Sequence, residues 1–242
     1  MKADCAFCAG PDEVRTAPAE KCEIVVYGSD HGATLGRLGT ERVRQVVDFW
    51  AARTALHGAR LDAGYVLVTA DGRDPAAHPH GEIYVFRMPP PVAVEELNVA
   101  PCPVCLEDPG DRLVAEALGW RAWTAATTDA SRPYSVVLAP MSHRPDLPTL
   151  AGWERDALAQ LLIDVLARFD RLGTGHVLWV HQRPTDGVAW PNAHVHVEVS
   201  ATPRTLTVAE MGSGAAFDKV APHEAAQALR APDPTPTPTA TP

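Results

Sequence analysis

Apolar positions along the chain follow two periods. From about Thr40 to Leu56, Val43, Val46, Val47 and Trp50 recur three and four residues apart, which predicts an amphipathic helix with Thr40 as its N-cap. A longer stretch, from about Leu150 to Leu172, carries Leu158, Leu161, Leu162, Val165, Leu166 and Phe169 on one helical face. Shorter β-branched and aromatic runs predict strands at Cys22–Tyr27, Tyr65–Val68, Trp120–Trp123, Tyr134–Leu138 and Val177–Val180. Two further strands, His78–Phe86 and His194–Val199, alternate histidine with apolar residues. Trp50, Trp153 and Phe169 read as core, Cys22 as a small buried residue, and His57, His176 and His223 as surface or loop positions. The Pro/Thr segment at 232–242 cannot build a core and predicts a disordered tail.

These elements recur in order. Each half carries a CxxC pair, then a lone histidine, a helix, a strand and an H-x-H-x-E strand. The first set is Cys5/Cys8, His31 and His78/His80/Glu82; the second is Cys102/Cys105, His143 and His194/His196/Glu198. An ordered internal repeat is more specific than either motif alone. It implies an α+β organisation of two similar halves, at residues 1–98 and 99–231, before the tail at 232–242.

Composition narrows the classes. The chain has 242 residues, 46% hydrophobic, with a formal net charge of -9. That balance argues against non-specific nucleic-acid binding. No apolar run approaches the roughly 20 residues of a membrane span. Met1-Lys2-Ala3-Asp4 lacks the apolar stretch of a signal peptide, so a cytoplasmic location is the expectation. Four of the five cysteines fall in the two CxxC pairs, which in a reducing compartment points to metal or redox chemistry rather than structural disulfides.

Two thiolates and two imidazoles make a tetrahedral zinc set, and Cys5, Cys8, His31 and His78 supply one. The repeat supplies a second, Cys102, Cys105, His143 and His194. A competing set, Glu96, His181, His194 and His196, suits iron or zinc through nitrogen and oxygen ligands. The two share His194 and exclude each other; the repeat favours the cysteine set. Residues i and i+2 of a strand share a face, so His80 and Glu82 are placed beside His78. With His78 on a metal, His80 is free to react, and an imidazole nitrogen is a good nucleophile towards phosphorus.

The motifs Cys5-Ala-Phe-Cys8-Ala-Gly10, Ser29-Asp30-His31-Gly-Ala-Thr-Leu35, His78-Pro-His80-Gly-Glu-Ile-Tyr84, Trp179-Val-His181-Gln-Arg-Pro and Ala193-His194-Val-His196 stand in the order in which they resemble the galactose-1-phosphate uridylyltransferase family of the histidine-triad superfamily, as a shortened and diverged member. The resemblance implies two histidine-triad-like half-domains with antiparallel sheets, packed helices and a pseudo-twofold. It implies a nucleotidyltransferase acting on a nucleotide sugar and a sugar phosphate, with His80 forming a covalent nucleotidyl-histidine, and a homodimer. It also matches Cys5, Cys8, His31 and His78 to structural zinc ligands, and Glu96, His181, His194 and His196 to the second-metal ligands of some members. The family usually has glutamine where this chain has Glu82. That difference raises an alternative: a hydrolase or phosphorylase using His80 and Glu82, where the carboxylate acts as a base. A zinc-stabilised nucleotide-binding protein without catalysis is the third reading.

Overall fold

The computed structural model describes residues 5–32, 34–73, 77–126, 132, 134–202, 205–214 and 220–230; the Pro/Thr segment at 232–242 lies outside them. The first half contributes strands β1 (Arg15–Pro18), β2 (Glu23–Val26), β3 (Tyr65–Asp71) and β4 (His80–Phe86). The second contributes β5 (Leu113–Ala117), β6 (Trp120–Thr124), β7 (Ser135–Pro140), β8 (His176–His181) and β9 (His196–Ala201). Helices are α1 (Thr40–Gly58), α2 (Pro91–Leu97), α3 (Pro103–Leu106), α4 (Gly152–Arg171), α5 (Val208–Ser213) and α6 (Pro222–Arg230). None of them is long and apolar enough to cross a membrane.

The nine strands of the described residues join one sheet, in the order β1-β2-β4-β3-β8-β9-β7-β6-β5, and neighbours run antiparallel. Outward from the β3–β8 seam the order mirrors itself. β3-β4-β2-β1 lies on one side and β8-β9-β7-β6 on the other, with β5 added at one edge. Val68 faces Val180 across that seam. The repeat read from the sequence is therefore a pseudo-twofold of an α+β fold.

Strand alternation divides the sheet into two faces. Val66 and Val68 of β3, Ile83 of β4, Leu178 and Val180 of β8 and Val197 and Val199 of β9 are buried. They share one hydrophobic cluster with Val43, Val46, Val47 and Trp50 of α1 and with Leu158, Leu161, Leu162, Val165, Leu166 and Phe169 of α4. Both helices thus cover the same face. The alternate positions, His80, Glu82 and Tyr84 on β4 and Trp179 and His181 on β8, are left to the other.

The structure departs from the sequence reading at four places. The N-cap of α1 is Gly39, at φ 79, where glycine carries no Cβ penalty; the Thr40 hydroxyl donates instead to Gln160 Oε1 of α4 at 3.3 Å. Trp153 is 54% exposed, because it falls beside rather than on the apolar stripe of α4. His176, expected at the surface, is 5% exposed and packs its ring against Phe169 with centroids 6.2 Å apart. His78 and His194 each stand two residues before the strand they were expected to join.

Gln182, just beyond β8, ties the halves together from a buried position. Its Nε2 donates to Val66 O at 2.9 Å, and its Oε1 accepts from Leu147 N–H at 3.3 Å. Replacing it by Leu strands both backbone groups. An unsatisfied buried group costs roughly 1–3 kcal/mol, so with two of them Gln182→Leu is expected to lose about 2–6 kcal/mol in urea unfolding. A loss below about 0.5 kcal/mol would contradict this role.

Candidate functional site

The CxxC turn comes first. Cys8 N–H donates to Cys5 O at 3.2 Å, which folds both thiols to one side. His78 arrives from the loop before β4. Its Nε2–H donates to Gly28 O at 2.9 Å, which turns Nδ1 to the cysteines, 3.7 Å from Cys5 Sγ and 3.5 Å from Cys8 Sγ. His31 Nδ1 lies 3.2 Å from Cys8 Sγ. The four ligand atoms all fall within 4.8 Å of one another, so the cluster could hold a metal ion. Burial keeps His78 below its ordinary pKa, hence neutral and able to ligate. Burial pushes the Cys5 thiol up, but hydrogen bonds from the Cys8 and Phe7 backbone outweigh it and bring it to about 7.

The second half builds the same object. His194 Nε2–H donates to Pro140 O at 3.0 Å, and its Nδ1 lies 3.6 Å from Cys102 Sγ and 3.3 Å from Cys105 Sγ. His143 Nδ1 is 3.2 Å from Cys105 Sγ. These four atoms form a second possible metal cluster. Burial lowers His194 to about 4 and raises the Cys105 thiol to about 11. The imidazole is therefore ready to ligate, whereas the thiol needs a cation to lose its proton.

A third cluster, Glu96, His181 and His196, stands without His194. Glu96 at the end of α2 reaches His181 Nδ1 at 3.0 Å and His196 Nε2 at 2.9 Å, and the two rings stack 4.5 Å apart. Burial pulls His181 down, but Glu198 and Glu96 outweigh it and raise it to about 9. His194 turns to the cysteines, and the carboxylate of Glu96 bridges the remaining pair.

His80, the first residue of β4, donates its Nδ1–H to His78 O at 2.7 Å. A carbonyl only accepts, so the proton sits on Nδ1 and the lone pair on Nε2. His80 lines a cavity at the end of the sheet with Tyr27, Thr34, Asp71, Gly72 and His176. Asp71 is held below the usual carboxylate range by its hydrogen bond from Arg73. Glu82 shares a strand face with His80 but is not among the cavity's lining residues; its Oε2 accepts from Tyr84 O–H at 2.9 Å. The sequence reading had no role for Tyr84, although its i+2 spacing from Glu82 places it on that face. Asp71 carried no motif; only the β3–β4 register brings it to His80.

Residues 5–90 match the family described as galactose-1-phosphate uridyl transferase, N-terminal domain. The galactose-1-phosphate uridylyltransferase of Streptomyces lividans is 28% identical over 211 residues, 76% of this chain and 59% of that protein. The one of Thermotoga maritima is 28% identical over 234 residues, 86% of this chain and 73% of that protein. The chain thus spans between about three-fifths and three-quarters of the length of these relatives. The fold is similar to an ADP-glucose phosphorylase from Arabidopsis thaliana solved with bound ADP-glucose. The TM-score is 0.76 at 16% identity, over 86% of this chain and 72% of that one. Through the matched residues 5–90, which contain the first CxxC and His80, and through these relatives, the chain is similar to the galactose-1-phosphate uridylyltransferase family.

Proposed function

We propose that the protein moves a nucleotidyl group between phosphorylated acceptors through a covalent intermediate on His80. The hydrogen bond from His80 Nδ1 to His78 O carries this reading. It leaves Nε2 as the nucleophilic atom. Nε2 attacks the α-phosphorus of a nucleotide sugar, an N–P bond forms, the bridging P–O bond breaks, and the electron pair leaves with the sugar phosphate. Nδ1 keeps its proton throughout. A second sugar phosphate then attacks the same phosphorus and releases His80. The cysteines this protein needs reduced suit the cytoplasm, and its relatives support an enzyme rather than a passive binder.

A second reading has water or inorganic phosphate as the acceptor. The Glu82 carboxylate, fixed by Tyr84, favours it, because a carboxylate accepts a proton where an amide cannot. Incubation with UDP-glucose or ADP-glucose is expected to add one nucleoside monophosphate to His80 by intact mass, and His80→Ala is expected to abolish the adduct. With Glu82→Gln, the ratio of transfer to hydrolysis of that adduct is expected to rise about tenfold. Absence of any adduct in the wild type would sink the transfer reading, and unchanged partitioning would remove Glu82 from the chemistry.

Both cysteine clusters are assigned to zinc. Zn–S of about 2.3 Å and Zn–N of about 2.0 Å at a tetrahedral angle separate sulfur from nitrogen by about 3.5 Å. The observed separations run from 3.2 to 3.7 Å. In each cluster one histidine donates its other N–H to a backbone carbonyl, the usual support for a ligating imidazole. Glu96, His181 and His196 offer nitrogen and oxygen donors that suit iron or zinc. Elemental analysis is expected to find about two zinc per chain at the cysteine sites. Cys102→Ser with Cys105→Ser should lose one of them, and His181→Ala neither. A wild-type zinc content that survives both cysteine-pair substitutions would contradict the assignment.

A further inference from the structure

Among the described residues, three buried polar atoms near His80 have no hydrogen-bond partner: Tyr27 Oη, Thr34 Oγ1 and His176 Nδ1. All three residues line the cavity that His80 lines. Tyr27 and His176 are 1% and 5% exposed. Proteins rarely leave such atoms orphaned, because each has given up water for nothing. Three of them around one cavity call for a ligand that supplies the missing bonds.

Each has a local reason for its position. Tyr27, just past β2, packs its ring edge-on to Trp50 and lays its hydroxyl over Gly81. A Cβ at Gly81 would come within 2.6 Å of that oxygen, so glycine after His80 makes room for the phenol. Thr34 occupies the N-cap position of the 3-10 turn Leu35–Arg37, yet its side chain makes no cap bond. Its hydroxyl is withheld from the task such a residue usually performs. His176 comes from the other half of the molecule. It opens β8, its carbonyl accepts from Gly72 N–H at 2.8 Å across the seam, and its Nε2 lies against Gly72. Burial keeps its imidazole below the ordinary pKa, so it is neutral, with one N–H to donate.

We propose that Tyr27, Thr34 and His176 form a shelf of neutral donors that positions a phosphoryl group of the nucleotide for attack by His80. Two hydroxyls and a neutral imidazole can all donate, and phosphoryl oxygens accept without limit of direction. No lysine or arginine lines this cavity among the described residues. Uncharged donors hold the phosphoryl group without neutralising the leaving phosphate. The shelf also explains why both halves are needed: His176 is the second half's contribution to the first half's nucleophile. These are positioning residues, and the proposal rests on His80 acting at phosphorus.

The test uses near-isosteric substitutions that delete only the orphaned atom: Tyr27→Phe, Thr34→Val and His176→Phe in the full chain. Removing an unsatisfied buried polar atom is expected to hold or raise Tm. Each substitution is expected to weaken binding of UMP or AMP by about tenfold in calorimetry and to slow adduct formation on His80 from UDP-glucose or ADP-glucose to a similar degree. His176→Gln, which restores a donor at that depth, is expected to regain most of the binding, and it keeps the test open should His176→Phe not fold. Raised Tm with unchanged nucleotide binding would overturn the shelf and mark the cavity as merely hydrated; so would failure of the wild type to bind either mononucleotide. Binding that is lost in the variants, in a protein that never forms the adduct, would keep the shelf and remove nucleotidyl transfer.

Discussion

Two hydrogen bonds organise this molecule: His78 Nε2–H to Gly28 O and His194 Nε2–H to Pro140 O. Each joins the loop before an H-x-H strand to a carbonyl at or just past the end of the neighbouring strand, β2 in one half and β7 in the other. Each thereby fixes a tautomer and turns Nδ1 onto a pair of thiols. The cysteine turn, the lone histidine and the strand then converge on one point. In the first half the carbonyl of the same residue, His78, accepts a hydrogen bond from the Nδ1–H of His80. The histidine held by that structural bond thus also sets the tautomer of the next.

The two halves repeat this construction and diverge in what they do with it. His196 matches His80 and makes the same bond, from Nδ1 to His194 O at 2.9 Å. Its Nε2, however, meets Glu96 and shares a stacked pair with His181. His80 opens instead onto a cavity lined by neutral donors and Asp71. The same scaffold therefore presents a closed polar cluster on one side of the seam and an accessible nitrogen on the other. The seam is no passive hinge. β3 and β8 pair across it, Gln182 bonds across it, and His176 reaches the first half's cavity through it.

Much of this was legible from residue order. The helices at 40–58 and 152–171 follow from apolar spacing, and the repeat of CxxC, histidine and H-x-H carried the pseudo-twofold and both cysteine clusters. Pairwise register and depth were not legible. His194 looked shared between two ligand sets because a sequence does not say which way a ring nitrogen faces; the bond to Pro140 O decides it. His176 looked like a loop residue because no periodicity surrounds it, whereas Phe169 of α4 covers it. Gln182 stands inside the Trp179-Val-His181-Gln-Arg-Pro motif with no role of its own there, and its importance lies in two backbone groups that only the fold brings near. Trp153 is the opposite error, a large apolar residue one position off the stripe of α4 and hence at the surface.

The central proposal is chemical: we propose that His80 attacks through Nε2, because Nδ1 is committed to His78 O. The most direct measurement is NMR of the protein labelled with ¹⁵N-histidine after reaction with a nucleotide sugar, which locates the phosphorus by its coupling to one ring nitrogen. The account predicts a single phosphoramidate on Nε2 of His80, with Nδ1 still protonated. Phosphorus on Nδ1, on another residue, or on none would contradict it.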